Sequence, residues 1–367
     1  MRHGATVFAA MTKAATELIQ PDLVEWAIGN PVITKLTGQI EHVHLCGQHP
    51  DKVDLLLVAP STANTIGKIA NGIDDTVVTT FATTAFGTGI PIAIVPAMHA
   101  TMYDNPMVIE NISKLKKAGV QFIGPRLEEG KAKIATTEEI LEEIIGILTL
   151  NDLKGKEVVV TAGPTRVWLD DVRFISNPSS GKMGISLALE AVNRGAKTTL
   201  LLGPTTIPVP NIRKLAVKRF ETPDDLISQI KSLKKIDIYI SAAAIGDYQP
   251  KKKKGKIQSQ QESLTLELKP TPKVIDEVVK SFPKAKIIGF KAEASIKKTE
   301  LVKKAKKSLE EHKLHLVIAN LIDKPEQGFA SDTNIITIVH KDGTFIEYPK
   351  KSKRELAKDI VDQIKKI

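Results

Sequence analysis

The sequence has a single cysteine, Cys46, among 367 residues, which excludes internal disulfides and fits a reducing, cytoplasmic setting. It has no run of about 18 apolar residues, the least a helix needs to cross a bilayer, so no membrane span is expected. The opening MRHGATVFAA puts no long apolar stretch behind its basic residue, and no signal peptide is read there. Aromatic residues make up 4% of the chain, too few to build a run of stacking platforms for single-stranded nucleic acid. No G-x-G-x-x-G follows any predicted strand, which leaves an NAD-dependent oxidoreductase without its dinucleotide fingerprint.

A Walker phosphate loop is missing too, although ISNPSSGKMG (Ile175 to Gly184) approaches one. That motif needs glycine at its first position and a hydroxyl after the lysine; Ser176 and Met183 stand there instead. What the segment retains is a Gly/Ser turn leading into a helix from about Lys182, whose unpaired N–H groups suit an anion. An ordinary N-cap by Ser179 or Ser180 is the competing reading. The residues alone leave both open.

The 42% hydrophobic and 26% charged content is that of a soluble globular protein, and the length allows two domains, each with its own core. Net charge is +10, with lysine gathered in KKKKGK (251–256), in KKTELVKKAKK (297–307) and near the C-terminus. Such an excess draws nucleic acid, polyphosphate or phosphorylated substrates. A basic nucleic-acid-binding protein is therefore one reading of the charge, and a solvated lysine face is the plainer one.

Two α/β blocks follow from the periodicity. In the first, VDLLLVAP (53–60) and IPIAIVPA (90–97) are short, near-continuous apolar runs, as expected of parallel strands buried on both faces. ATTEEILEEIIGIL (135–148) is an amphipathic helix with a threonine cap and an acidic first turn. NDLKGKE (151–157) breaks the pattern and places the domain boundary near residue 150. The second block restarts with EVVVTAGPT (157–165), and KTTLLLG, IDIYISAAA, AKIIGF and LHLVIAN supply further strands. Among its helices is TPDDLISQIKSL, with Thr222 as cap and Pro223 at the first helical position. This alternation predicts an α/β fold of two doubly wound, Rossmann-like or flavodoxin-like domains, 1–150 and 151–367. Ligands of such sheets sit beyond the carboxyl ends of the strands, here the segments TAGPT, AAAIGDY, GFKAEA and ANLID. One irregularity stands out: the chain begins as a helix end, a turn and a second strand, so the first domain is expected to be truncated by its first βα unit.

VTAGPTRVWLDDVRFISNPSSGKMG, AAAIGDY, GKIQ, GFKAEA and QGFASDTN, taken in order, resemble the ligase half of the bifunctional phosphopantothenoylcysteine synthetase/decarboxylase family (CoaBC, formerly Dfp). PSTANT (60–65) and PAMHATMY (96–103) are similar to the PASANT and PxMNxxMW motifs of that family's flavin-dependent decarboxylase half. The likeness covers essentially the whole chain. It implies ligation of 4′-phosphopantothenate to cysteine with CTP and Mg²⁺ through an acyl-cytidylate, then FMN-dependent decarboxylation to 4′-phosphopantetheine. It also implies a homo-oligomer, since the family's ligase halves pair as dimers and its decarboxylase halves form trimers.

Carried over residue by residue, the resemblance makes Lys256 of GKIQ the lysine needed for the acyl-cytidylate, and Arg173 and Asn177 of RFISN the residues that handle that intermediate and its attack by cysteine. Their chemistry suits the roles: arginine grips phosphate or carboxylate through a bidentate fork, and asparagine offers both a donor and an acceptor. Asp247, Thr271, Pro272 and Phe290 match the CTP site, with Lys307 and Lys313 as the candidates for a distal lysine pair. Metal ligands are not assigned. In the decarboxylase half, His42 matches the catalytic histidine, a residue type that titrates in the range a proton shuttle needs, and His44 stands where the family has glutamate. His99 takes the place of the asparagine that holds the substrate carboxylate. Thr12, Thr62, Ala63, Asn64, Thr65 and Met98 would face FMN. The family's acid cysteine has no counterpart in GPRLEEGKAKIA, so a ligase whose first domain binds no flavin is the second enzymatic reading.

Overall fold

The computed structural model describes residues 4–128, 131–212, 214–258, 263–323 and 327–367; the first three residues and 129–130 of GPRLEEGKAKIA lie outside them. The chain divides into two compact units, Met1–Leu148 and Thr149–Ile367.

In the second unit eight strands form one sheet, in the order Leu215–Arg219, Lys197–Leu202, Glu157–Ala162, Ile238–Ser241, Lys286–Glu293, Leu316–Leu321, Thr333–His340, Phe345–Ser352. The first six run parallel and the last two pairings are antiparallel. Chain order thus reverses between Glu157–Ala162 and Ile238–Ser241, the switch point at which doubly wound sheets bind ligands.

The central strands, such as Glu157–Ala162 and Leu316–Leu321, are largely apolar because they bury both faces, whereas the edge strands Leu215–Arg219 and Phe345–Ser352 are mostly exposed and carry charge. Val158, Val160, Leu200, Leu202, Ile238 and Ile240 pack on one side with the helices Lys182–Asn193 and Lys353–Lys366. Val159, Leu201, Tyr239 and Ile287 pack on the other with the helices Pro223–Lys231, Val274–Ser281 and Lys298–Glu311. Each fully buried aliphatic side chain stabilises the layer by about 1.5–3 kcal/mol. Thr222 caps its helix through a capping box, with Pro223 in the first turn. All of GFKAEA but its last residue belongs to the strand Lys286–Glu293 rather than to a loop.

In the first unit Leu56–Ser61, Ile92–Pro96 and Gln121–Phe122 form a parallel three-stranded sheet. Ile92 and Ile94 face one cluster with Val58, Ile66 and Phe81, while Ala93 and Val95 face another with Ile123 and Ala135. Ala9–Ala10 pairs in parallel with Val32–Ile33. Thr136 begins the helix Thr137–Leu148 in a reciprocal arrangement: its Oγ accepts from Glu139 N at 3.2 Å and its N–H donates to the Glu139 carboxylate at 2.8 Å.

The helix in ISNPSSGKMG starts at Lys182. Neither serine caps it. Gly181, with φ 79°, is the N-cap, and this end has no side-chain cap bond; Ser180 Oγ instead donates to Phe329 O at 2.5 Å. The helix presses directly on the strand it follows, since a Cβ on Gly184 would lie 2.5 Å from Ala162 Cβ and 2.8 Å from Thr161 O.

Gly184→Ala is therefore expected to destabilise the second unit by about 1–3 kcal/mol, as overpacking does. Gly87→Ala, in the helix Val77–Thr88 where an added Cβ meets nothing within 4 Å, is expected to be neutral or to stabilise the first unit by up to about 1 kcal/mol. Scanning calorimetry of both variants checks the pair, and an unchanged melting profile for Gly184→Ala would contradict the packing described.

Candidate functional site

At the carboxyl ends of the second unit's strands lies a cavity of about 470 Å³. Its walls come from the helix start 181–184, the segment 241–247 after Ile238–Ser241, the turn 271–275 and the strand residues 289–292. Asn177, Asp247, Thr271, Pro272 and Phe290 all line it.

Local bonds place these groups. Asn177 Nδ2 donates to Ala244 O at 3.2 Å, which ties the segment before the helix to the loop after the neighbouring strand. Thr271 is buried; its Oγ1 donates to Gly246 O at 2.5 Å and its N–H to Asp247 O at 2.9 Å. Asp247 is exposed and pairs with Lys273 at 2.5 Å. TAGPT acts indirectly: Thr165 Oγ1 accepts from Gly246 N at 2.9 Å and so shapes the facing loop.

Arg173 and Lys256 belong to a different assembly, built on a hairpin that pairs Arg166–Trp168 with Phe174–Ser176. Asp170, with no exposed area, accepts from Arg173 N at 2.6 Å, Val172 N at 2.7 Å and Ile257 N at 3.0 Å. Asp171 accepts from Gly255 N at 2.7 Å, and Arg173 Nη1 donates to Ile257 O at 3.2 Å. The Ile257 bond first, then those of Val172 and Arg173, hold the Asp170 carboxyl below the ordinary aspartate range despite its burial. Lys256 thus extends from a backbone pinned to the hairpin, its side chain exposed. Neither Lys256 nor Arg173 lines the cavity.

Lys307 and Lys313 do not line it either: Lys307 pairs with Glu311 along the exposed helix at 3.3 Å. The wall carries other polar groups that motif reading passed over, namely Lys182, Lys291, Ser308, His312 and Lys353. Ser308 and His312 are four apart on one helix, a spacing that puts them on one face. His312 Nδ1 lies 2.6 Å from an Asp276 carboxylate oxygen. Lys353 is 5% exposed, and burial pushes its ammonium down to about 8. In the sequence it is one lysine of YPKKSKRELA, with nothing to distinguish it from its neighbours.

In the first unit the carboxyl end of Leu56–Ser61 carries unmatched polar groups. Ser61 is fully buried and its Oγ has no partner. Thr62, N-cap of the helix Ala63–Ala70, makes no side-chain cap bond. Asn64 is exposed, Thr65 is half-buried, and Met98 packs at the edge of the core. Orphaned hydroxyls at a strand end and helix start suit a phosphorylated, hydrogen-bonding ligand, so these residues fit a flavin mononucleotide. Thr12, by contrast, spends its hydroxyl on Ala15 N at 3.2 Å as a helix cap. His42 lies in the short helix Glu41–Cys46 with its Nδ1 buried and unpartnered, edge-on to Phe81. His99 is exposed, its Nδ1 3.2 Å from Thr101 Oγ1. Cys46 is buried in the core, where burial raises its thiol to about 11, so it supplies no accessible acid. Among the described residues no group of three or more His, Cys, Asp or Glu could hold a metal ion, and no helix is long and apolar enough to cross a membrane.

The Asp170 network predicts a pH limit. A carboxylate whose folded value is lowered contributes stability above the ordinary range near about pH 4 and loses it as pH falls through the folded value. Asp170→Asn mimics that loss at neutral pH. Trypsin cleavage in the 251–256 lysine run is expected to speed up by about an order of magnitude as buried N–H groups lose their acceptor. Cleavage at the wild-type rate would show that Asp170 does not pin the segment.

A family model described as Flavoprotein matches residues 1–149, and one described as DNA/pantothenate metabolism flavoprotein C-terminal domain matches residues 153–367. The chain is 48% identical over 371 residues to the coenzyme A biosynthesis bifunctional protein CoaBC of Thermococcus kodakarensis, across 100% of this chain and 90% of that protein. The protein of the same name from Methanocaldococcus jannaschii is 37% identical over 373 residues, across 100% of this chain and 88% of its own length. A solved DNA/pantothenate metabolism flavoprotein from Streptococcus pneumoniae superposes with a TM-score of 0.50 at 25% identity, on 57% of this chain and 97% of that one. Whole-length identity of this order, with both family models matched in sequence, decides the relationship: the chain belongs to the family of bifunctional coenzyme A biosynthesis proteins CoaBC.

Proposed function

We propose that this chain carries out two consecutive steps of coenzyme A biosynthesis. The 149–367 unit joins 4′-phosphopantothenate to cysteine at the expense of CTP, and the 1–148 unit decarboxylates the phosphopantothenoylcysteine so formed to 4′-phosphopantetheine. The observation that carries the ligase assignment is the meeting of Asn177, Asp247, Thr271, Pro272 and Phe290 around one cavity at the switch point, from segments scattered over more than a hundred residues.

In the ligase step the substrate carboxylate attacks the α-phosphate of CTP, pyrophosphate leaves, and the cysteine amine then displaces CMP from the acyl carbon. Negative charge grows first on phosphate and then on the acyl oxygen, so oriented cations and donors are what the site must supply. The helix start at 181–184, with Lys182, offers N–H groups and charge to the phosphates. Asn177 holds the reacting carboxyl group. Lys256 and Arg173, on the assembly braced by Asp170 and outside the cavity wall, would have to reach the nucleotide from there to add their charge. Mg²⁺ would arrive on the nucleotide phosphates, the usual way it is held where few protein ligands are offered.

FMN, when bound, supplies the oxidation of the cysteinyl thiol that turns its carboxylate into a leaving group, and the later reduction. Ser61, Thr62, Asn64 and Thr65 would hold it at the strand end, with Met98 beside the ring. His42 moves the thiol proton, and His99 holds the departing carboxylate. A ligase-only chain is the second reading, favoured by the burial of Cys46 and the lack of any other cysteine.

Supplying phosphopantothenate, cysteine, CTP and Mg²⁺ while following pyrophosphate and CO₂ separately tests both halves. Both products are expected; pyrophosphate without CO₂ removes the decarboxylase, and neither product removes the whole assignment. Lys256→Gln is expected to lower pyrophosphate release by about 10²- to 10³-fold, the scale seen when one charge-stabilising donor is lost.

A further inference from the structure

Lys353 has no part in the reaction as drawn, yet it is built into the cavity wall. It is the first residue of the C-terminal helix and one of the few charged side chains that is almost wholly buried, a place lysine rarely takes without partners. Its ammonium donates to Gly328 O at 2.9 Å and to Phe329 O at 3.3 Å, and its backbone N–H to Asp332 O at 2.9 Å. The same turn is gripped from the other helix. Ser180 Oγ donates to Phe329 O at 2.5 Å, and Lys182 Nζ meets Asp332 at 2.5 Å. Residues 328–332 are thus stitched between two helix starts, and Gly328 and Phe329 line the cavity beside Gly181 and Lys182.

The charged groups whose fields reach Lys353 are Lys182, on the adjoining helix start, and Asp332, on the turn. Burial is the largest influence on it, and Lys182 adds to the fall that Asp332 opposes. A lysine whose folded value lies below its unfolded one lowers stability at neutral pH. That cost vanishes as pH rises from about 8 towards the ordinary value of about 10.4. An apolar chain of similar length would carry no such cost. The carbonyls of Gly328 and Phe329 hold the ammonium in place without offsetting its charge, and an incoming polyanion would supply the opposite charge.

We propose that Lys353 is a positioning residue of the ligase reaction, which holds the 328–332 turn and sets a buried positive charge at the polyphosphate end of the cavity. This rests on the ligase reading above. Bound phosphate favours the protonated form, so Lys353 stays charged in the complex. The capture of nucleotide, rather than its turnover, then weakens as pH climbs past about 8.

The test uses the full chain, with inorganic tripolyphosphate as a binding probe in calorimetry and pyrophosphate release from CTP as the activity. In the wild type, affinity for tripolyphosphate is expected to fall roughly tenfold between about pH 7 and pH 9.5, although the probe only gains negative charge over that range. Over the same range kcat/KM for CTP falls while kcat holds. Lys353→Met is expected to bind tripolyphosphate roughly tenfold more weakly and to lose the alkaline fall. Lys353→Arg, which stays charged, is expected to bind equally at both pH values. A Met variant that binds as tightly as wild type, or that melts lower with CTP KM unchanged, overturns the proposal; so does a wild-type affinity that does not fall with pH, which decides the matter even if the Met variant does not fold. Failure of the ligase reading shows differently, as tripolyphosphate binding without pyrophosphate release.

Discussion

The second unit depends on the contact between the strand Glu157–Ala162 and the helix Lys182–Asn193, where no side chain separates the two backbones. A Cβ on Gly184 would meet Ala162 and Thr161, one on Gly163 would come within 3.2 Å of Gly203 O, and one on Gly181 within 3.2 Å of Gly163 N. Three glycines therefore let a helix start and two strand ends converge. That convergence sets the first-turn N–H groups of the helix at the rim of the sheet, beside the reversal of strand order where a cleft must open. Asn177 reaches Ala244 O from this point, and the 328–332 turn docks on it through Ser180 and Lys182.

Around that contact the polar groups are arranged as braces and hands. Asp170, Thr165 and Thr271 are buried and spend their oxygens on backbone N–H and C=O groups of neighbouring loops. They fix the loops, while side chains such as Asp247 and Lys256 stay exposed. Buried oxygen must be hydrogen-bonded to be tolerated, so each brace also marks a loop whose path matters. In the first unit Ser61 Oγ and His42 Nδ1 are buried without protein partners, as Thr198 Oγ1 is in the second.

How much of this could be read beforehand depends on the range of the interaction. The apolar strands 157–162 and 197–202, the Thr222 and Thr136 caps and the alternation of elements are local patterns, set by periodicity and by hydroxyl chemistry within one turn, and they appear where they were read. The cap of ISNPSSGKMG was open to two readings and is neither serine, because Ser180 is drawn away by Phe329, 149 residues later. Lys182 lines the cavity although its segment is no Walker loop, while Lys307 faces solvent beside Glu311. Lysine looks alike along a chain of net charge +10. Only docking distinguishes one from another.

The sequence by itself determined the layers, the helix starts and the family, because hydrophobic period, capping residues and ordered motifs are written in contiguous residues. The tertiary structure decided which polar groups share a cavity. Ser308 and His312 face Asn177 and Asp247 only because the sheet brings their helix there, and Lys353 is buried only because a turn 24 to 25 residues earlier folds over its ammonium. Burial and convergence are properties of packed neighbours, and no local stretch of chain carries them.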